Sequence, residues 1–141
     1  MSEVAEVFGS QCVVLSVEAT RHGDDEWGVY TDNGREKSTL DVRDWVSRAV
    51  ELGAGEIMLT SIDQEGTGGG FDLSLIKQVS SEVGVPIIAS GGMGSIDHIV
   101  EAVNEGADAV AMADVLHYNK MSLYDIHRAC KKKGLHVRKL Q

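Results

Sequence analysis

The sequence predicts an α/β fold of four strand–helix units with parallel strands. Two observations carry that expectation. Short apolar runs alternate with amphipathic stretches, separated by short loops, as parallel sheets with right-handed crossovers require. In addition, "RAVELGAGEIML" (48–59) matches "EAVNEGADAVAM" (101–112) at a shift of 53 residues. In both, a helix ends in Ala-Val, a Gly-Ala turn follows and an apolar strand begins. A period of two βα units suggests a barrel built by duplication; coincidence in a common helix-to-strand turn is the competing reading.

Taken in order, Ser2 to Phe8 reads as the end of a short helix with Val4, Val7 and Phe8 on one side, stopped by Gly9. The run "CVVLSVEA" (12–19) is β-branched and nearly continuous, the pattern of a strand buried on both faces. Glu26–Thr31 and Arg35–Thr39 are expected as a small antiparallel excursion, turned at the two-residue signal Asn33-Gly34. A helix follows over 41–52, capped by Asp41, with Val42, Trp45, Val46, Ala49 and Val50 on one stripe. "EIMLTS" (56–61) is the second strand, and the glycine-rich 62–70 is a loop. The second helix, 72–83, points Leu73, Ile76, Val79 and Val83 inward. "PIIAS" (86–90), a helix over 96–105, the strand "AVAMA" (109–113) and a helix over 122–133 complete the chain, the last capped by Ser122 and followed by Gly134.

The chain has 141 residues, 43% hydrophobic and 25% charged, which suits one globular domain spanning 1–141. A net charge of −9 argues against broad binding to nucleic acid or an anionic membrane, both of which need a basic surface. It leaves open a small phosphorylated ligand, held by a local field. Cys12 and Cys130 lack metal-like spacing and are expected as buried free thiols. The five histidines are scattered, and no metal or cofactor is expected. No apolar run approaches a membrane span, and "MSEVAEVFG" lacks the regions of a signal peptide, so a cytoplasmic protein is the expectation.

In parallel sheets and (βα)₈ barrels, chemistry gathers at the C-terminal strand ends. Here these are Glu18, Ser61 onward, Ser90-Gly91-Gly92 and Ala113-Asp114, the last opening a short helix "DVLHY". Two readings of "GGMG" are open. Its amides can face phosphate oxygens because no Cβ blocks the approach, or its glycines serve close packing against a neighbouring helix.

Four stretches now point to a family. "FGSQCVVLSVEA", "GAGEIMLTSIDQEGTGGGFD", "PIIASGGMGSIDH" and "GADAVAMADVLHY" resemble, in order, the C-terminal half of the cyclase subunit of imidazole glycerol phosphate synthase, of histidine biosynthesis. The resemblance implies half of a TIM (βα)₈ barrel: the fifth to eighth βα units, preceded by the tail of the fourth helix. The missing half leaves open strand edges, so completion by dimerisation or a larger homo-oligomer is expected. It implies as ligand a nucleotide with a phosphate at each end, and as partners ammonia and the glutaminase subunit that delivers it. Phosphate contacts are implied at Thr60, Gly66, Thr67, Ser90, Gly91, Gly92, Ala113 and Asp114. Glu18 falls on the fifth-strand acid–base position, where the family has aspartate. Asp63 and Glu65 are candidates for orienting the loop, Glu65 replacing the commoner aspartate. Asp114 replaces a small hydroxyl residue and brings a negative charge towards the phosphate. The loop "TGGGF" is expected to close over ligand. Two alternatives stand beside the cyclase: a self-assembling half-barrel that binds phosphate compounds without turnover, and a cyclase-like partner of an amidotransferase in surface-sugar biosynthesis.

Overall fold

A computed structural model of the chain describes residues 1–138; the last three residues of the expected domain lie outside the described residues. The elements are α1 (Ser2–Phe8), β1 (Val14–Gly23), β2 (Glu26–Thr31), β3 (Glu36–Asp41), α2 (Val42–Glu51), β4 (Glu56–Ser61), α3 (Leu73–Glu82), β5 (Ile87–Ser90), α4 (Ile96–Asn104), β6 (Ala109–Ala111), α5 (Asp114–His117) and α6 (Leu123–Lys132). They form one sheet of order β3-β2-β1-β4-β5-β6. Strands β1, β4, β5 and β6 are parallel, and β2 and β3 are antiparallel additions beside β1. Because the parallel strands follow in sequence order, right-handed crossovers put their helices on one face.

Local chemistry sets the helix boundaries. Asp41 accepts from the Arg43 amide at 2.8 Å to start α2, and Asp72 accepts from Leu75 at 3.1 Å to start α3. Ser95 and Ser122 cap α4 and α6 in the same way. The two repeat segments end their helices identically. Ala54 N donates to Ala49 O at 2.9 Å, and Ala107 N donates to Ala102 O at 3.0 Å. Those positions differ by the same 53 residues, so the sequence repeat is also a repeat of hydrogen bonding.

The helix-covered face of the sheet carries the core. Leu15, Val17 and Ala19 of β1, Ile57 and Leu59 of β4, and Ile87 and Ala89 of β5 are buried there, against Val42, Val46 and Ala49 of α2 and Leu75 and Val79 of α3. A second cluster joins Ala89 to Ile99, Ala102, Val115, Ile126 and Cys130. The intervening strand residues point the other way. Val14 is 50% exposed, Ser16 is exposed, and Glu18, Met58, Thr60, Ile88 and Ser90 are half-buried. This is the face that lines the inside of a closed barrel.

Several expectations are corrected. The first strand is not buried on both faces, because nothing in one chain covers its inner side. It begins at Val14 rather than Cys12, since Ser10–Cys12 forms a 3₁₀ turn closed by Val13 N on Ser10 O at 2.9 Å. Cys12 is exposed there, with its thiol on the Phe8 carbonyl, and Cys130 alone is the buried thiol of the pair. Residues Val4, Val7 and Phe8 of α1 are all exposed. The β2–β3 loop spans four residues, 32–35, with Asp32, Asn33 and Gly34 all left-handed and Arg35 N on Thr31 O. Three consecutive residues that tolerate positive φ favour this wider turn over a two-residue one. β6 ends at Ala111, two residues early. Finally, β2 pairs with β1 from Glu18 onward, so the open edge of β1 is confined to its first half.

Candidate functional site

Strand register places the rim residues. Glu18 lies beside Thr60, and Thr60 beside Ser90, which neighbours Ala111. All four belong to the inner face. Thr60, Ser90 and Ala111 stand at or next to the C-terminal ends of β4, β5 and β6, whereas Glu18, expected at a strand end, lies midway along β1 near the end of its parallel pairing with β4. Adjacent strands stand about 4.8 Å apart, so Glu18 is two spacings, about 10 Å, from Ser90.

Beyond the strand ends, two glycine loops meet backbone to backbone. Gly70 N donates to Gly92 O at 2.8 Å. A Cβ on Gly92 would stand 2.0 Å from the Gly70 carbonyl oxygen, and one on Gly91 would stand 2.6 Å from that of Ser61. The glycines of "GGMG" therefore do serve close packing, but against the loop after β4 rather than against a helix. That packing does not use up their amides. Among the described residues, the amides of Gly66, Gly91, Gly92 and Ala113 donate to no protein acceptor.

These groups surround one cleft of about 160 Å³, lined by Glu65, Gly66, Ser90, Gly91, Gly92, Ala113 and Asp114 among others. Pockets for whole ligands run to roughly 300–1,000 Å³, so this one suits a single small group. Seven of the sequence-predicted residues thus come together. Thr60 and Glu18 lie apart from the cleft lining, on the sheet's inner face. Thr67 also lies outside it, and its hydroxyl is engaged within the loop: it donates to Gln64 O at 2.8 Å and accepts from Gly69 N at 3.1 Å. Asp63 ties the same loop to β1, accepting from the Arg21 amide at 2.8 Å.

The charge in the cleft is mixed. Glu65 and Asp114 are its acidic walls, and Asp114 is paired with Lys120. Two connections escaped the sequence reading. One is this ion pair. The other is Asp72, which caps α3 and also accepts from the Trp27 indole N–H at 2.9 Å, fixing the β2 strand over the helix start. No spacing in the sequence signals either, since each links a loop or cap to a residue outside its own element. Among the described residues, no three His, Cys, Asp or Glu side chains are grouped to hold a metal ion.

A model of the family described as "Histidine biosynthesis protein" matches residues 1–122. The chain belongs to the histidine biosynthesis protein family. Curated members resemble it along nearly its whole length. The imidazole glycerol phosphate synthase subunit HisF of Streptococcus sanguinis (strain SK36) is 49% identical over 139 residues. The proteins of the same name from Streptococcus gordonii and Gluconacetobacter diazotrophicus are 48% and 46% identical. Each match covers 98% of this chain but only 54–55% of the relative. The chain therefore spans about half the length of the curated relatives it matches, and its four βα units are half of the family's TIM barrel.

Proposed function

We propose that the chain is the C-terminal half of an imidazole glycerol phosphate synthase cyclase, with its rim cleft holding one phosphate of the nucleotide substrate. The observation that carries this reading is the convergence of Gly66, Ser90, Gly91, Gly92 and Ala113 on one small cleft, with backbone amides left to donate. Fixed amides suit a dianion because they need no reorganisation to meet it. Thr60, next to Ser90 on the inner face, lies along the path from the phosphate to the acid.

Glu18 is the acid–base carboxylate in this reading. Ammonia-dependent ring closure needs a proton removed and another delivered nearby, so two carboxylates facing each other across the mouth share the work. The second comes from the half that this chain does not span. A distance of about 10 Å between Glu18 and the phosphate turn leaves room for the sugar carbons between them. The glutaminase subunit supplies ammonia. A second half-barrel, another copy or the N-terminal half, covers the inner face; Val14, Ser16 and the open β6 edge are where it docks.

A second reading is favoured by Glu18 itself. Its extra methylene relative to aspartate displaces the carboxylate by about a bond length, and misplacement of ~1 Å can cost about 10²-fold in rate. On this reading the half-barrel binds phosphate compounds without turnover. Pairing the chain with the N-terminal half of a relative, and supplying ammonia and nucleotide, separates the two. The cyclase reading expects turnover that Glu18→Gln abolishes while phosphate affinity stays unchanged. Phosphate binding with no turnover in the assembled barrel would overturn it in favour of the second.

A further inference from the structure

Lys120 belongs to no strand and has no part in the function proposed above. The chain brings it back to the rim. After α5, Asn119 takes a left-handed φ of 51°, and the Lys120 amide returns to Val115 O at 2.9 Å. That reversal lays the lysine side chain along α5. Its ammonium pairs with Asp114 Oδ2 and stands 5.5 Å from the centroid of the Tyr118 ring. Within the pair, the Asp114 side chain is 21% exposed and that of Lys120 53% exposed, so one partner forms the cleft wall and the other reaches it from solvent.

The electrostatic consequence follows from the lining. The ionisable side chains that line the cleft, Glu65 and Asp114, are both acids. Alone, they would set two carboxylates against any anion in a space of about 160 Å³. An ammonium has three donors on a flexible stem. It can hold Asp114 with one proton and present another to a ligand oxygen. Resting on the phosphate reading above, we infer that Lys120 is the charge-setting residue of the cleft: its pairing with Asp114 is what lets this acid-walled site accept a phosphate dianion.

The test is titration of the full chain with inorganic phosphate at low ionic strength, by calorimetry, for the wild type, Lys120→Met, Asp114→Ser and the double variant. One charge within a few ångströms of an anion at a protein surface changes affinity by about tenfold or more. Lys120→Met is expected to weaken binding by about that factor and Asp114→Ser to tighten it. The double variant should return to within about threefold of wild type, because removing one positive and one negative charge together leaves the local charge balance unchanged. Lys120→Arg should restore wild-type affinity, and Lys120→Met should flatten the dependence on salt, which a purely structural role would not do. Wild-type binding left unchanged in every variant overturns the role of Lys120 and leaves the phosphate site standing. Binding by Asp114→Ser but not by wild type also overturns it, since the pair would then block the cleft. Binding by none of them overturns the phosphate reading itself and this inference with it.

Discussion

Gly92 and Gly66 both have positive φ, 95° and 73°, yet the structure asks different things of them. A methyl on Gly92 meets a carbonyl oxygen of the facing loop, whereas one on Gly66 meets nothing within 4 Å. Gly66→Ala should therefore cost only the left-handed backbone penalty, about 1–2 kcal/mol. Gly92→Ala adds a clash that only backbone movement relieves, and should cost clearly more. Urea unfolding at matched protein concentration compares them; equal losses would mean that the loops do not pack as described. At this scale the sequence was legible where a residue type has one local use. Asp41, Ser122 and Gly134 took the positions their chemistry demanded. It was illegible where one group serves two distant partners. The Asp72 carboxylate joins a helix cap to an indole 45 positions away, and nothing near either residue announces it.

Among the elements, helical periodicity and short continuous apolar runs located the long helices and all four parallel strands, with boundary errors confined to ends and the first strand's burial on both faces not met. Those errors have local causes: a 3₁₀ turn trims β1 at its start, and three residues tolerant of positive φ widen the β2–β3 loop. Contacts between helices could not be read. Lys133, at the end of α6, pairs with Asp97 in the first turn of α4. Its hydrogen bond and charge hold the Asp97 carboxyl below its ordinary value of 3.8. Because the folded value is depressed, the pair contributes stability above the ordinary carboxylate range. That contribution is lost as pH falls through the folded value. Both groups are at the surface, so the effect is small and screened by salt. A carbon-detected NMR titration should find Asp97 titrating below 3.8 in the wild type and rising towards it in Lys133→Met. The same midpoint in both proteins would show that the helices are not tethered there.

For the whole molecule, the informative surface is the one the helices leave bare. The β1 run reads as a strand buried on both faces, yet in the single chain its Val14 and Ser16 stand exposed. The pattern encodes an environment that one chain does not supply. In the same way the rim's contributors could be named from strand-end positions, but their meeting in one cleft depends on two loops locking through the Gly70–Gly92 bond. Alternating burial on β1, β4 and β5, unpaired edges on β6 and the first half of β1, and exposed Val7 and Phe8 on α1 leave apolar side chains and strand edges uncovered in the single chain, the kind of surface on which association builds. No helix among the described residues is long and apolar enough to cross a membrane. In the function proposed above, a second half-barrel fills the partner role. Sedimentation equilibrium of the purified chain tests this most directly. A mass of twice the 15.2 kDa chain, or a higher multiple, is expected at micromolar concentration. A stable, folded species of 15.2 kDa would contradict it.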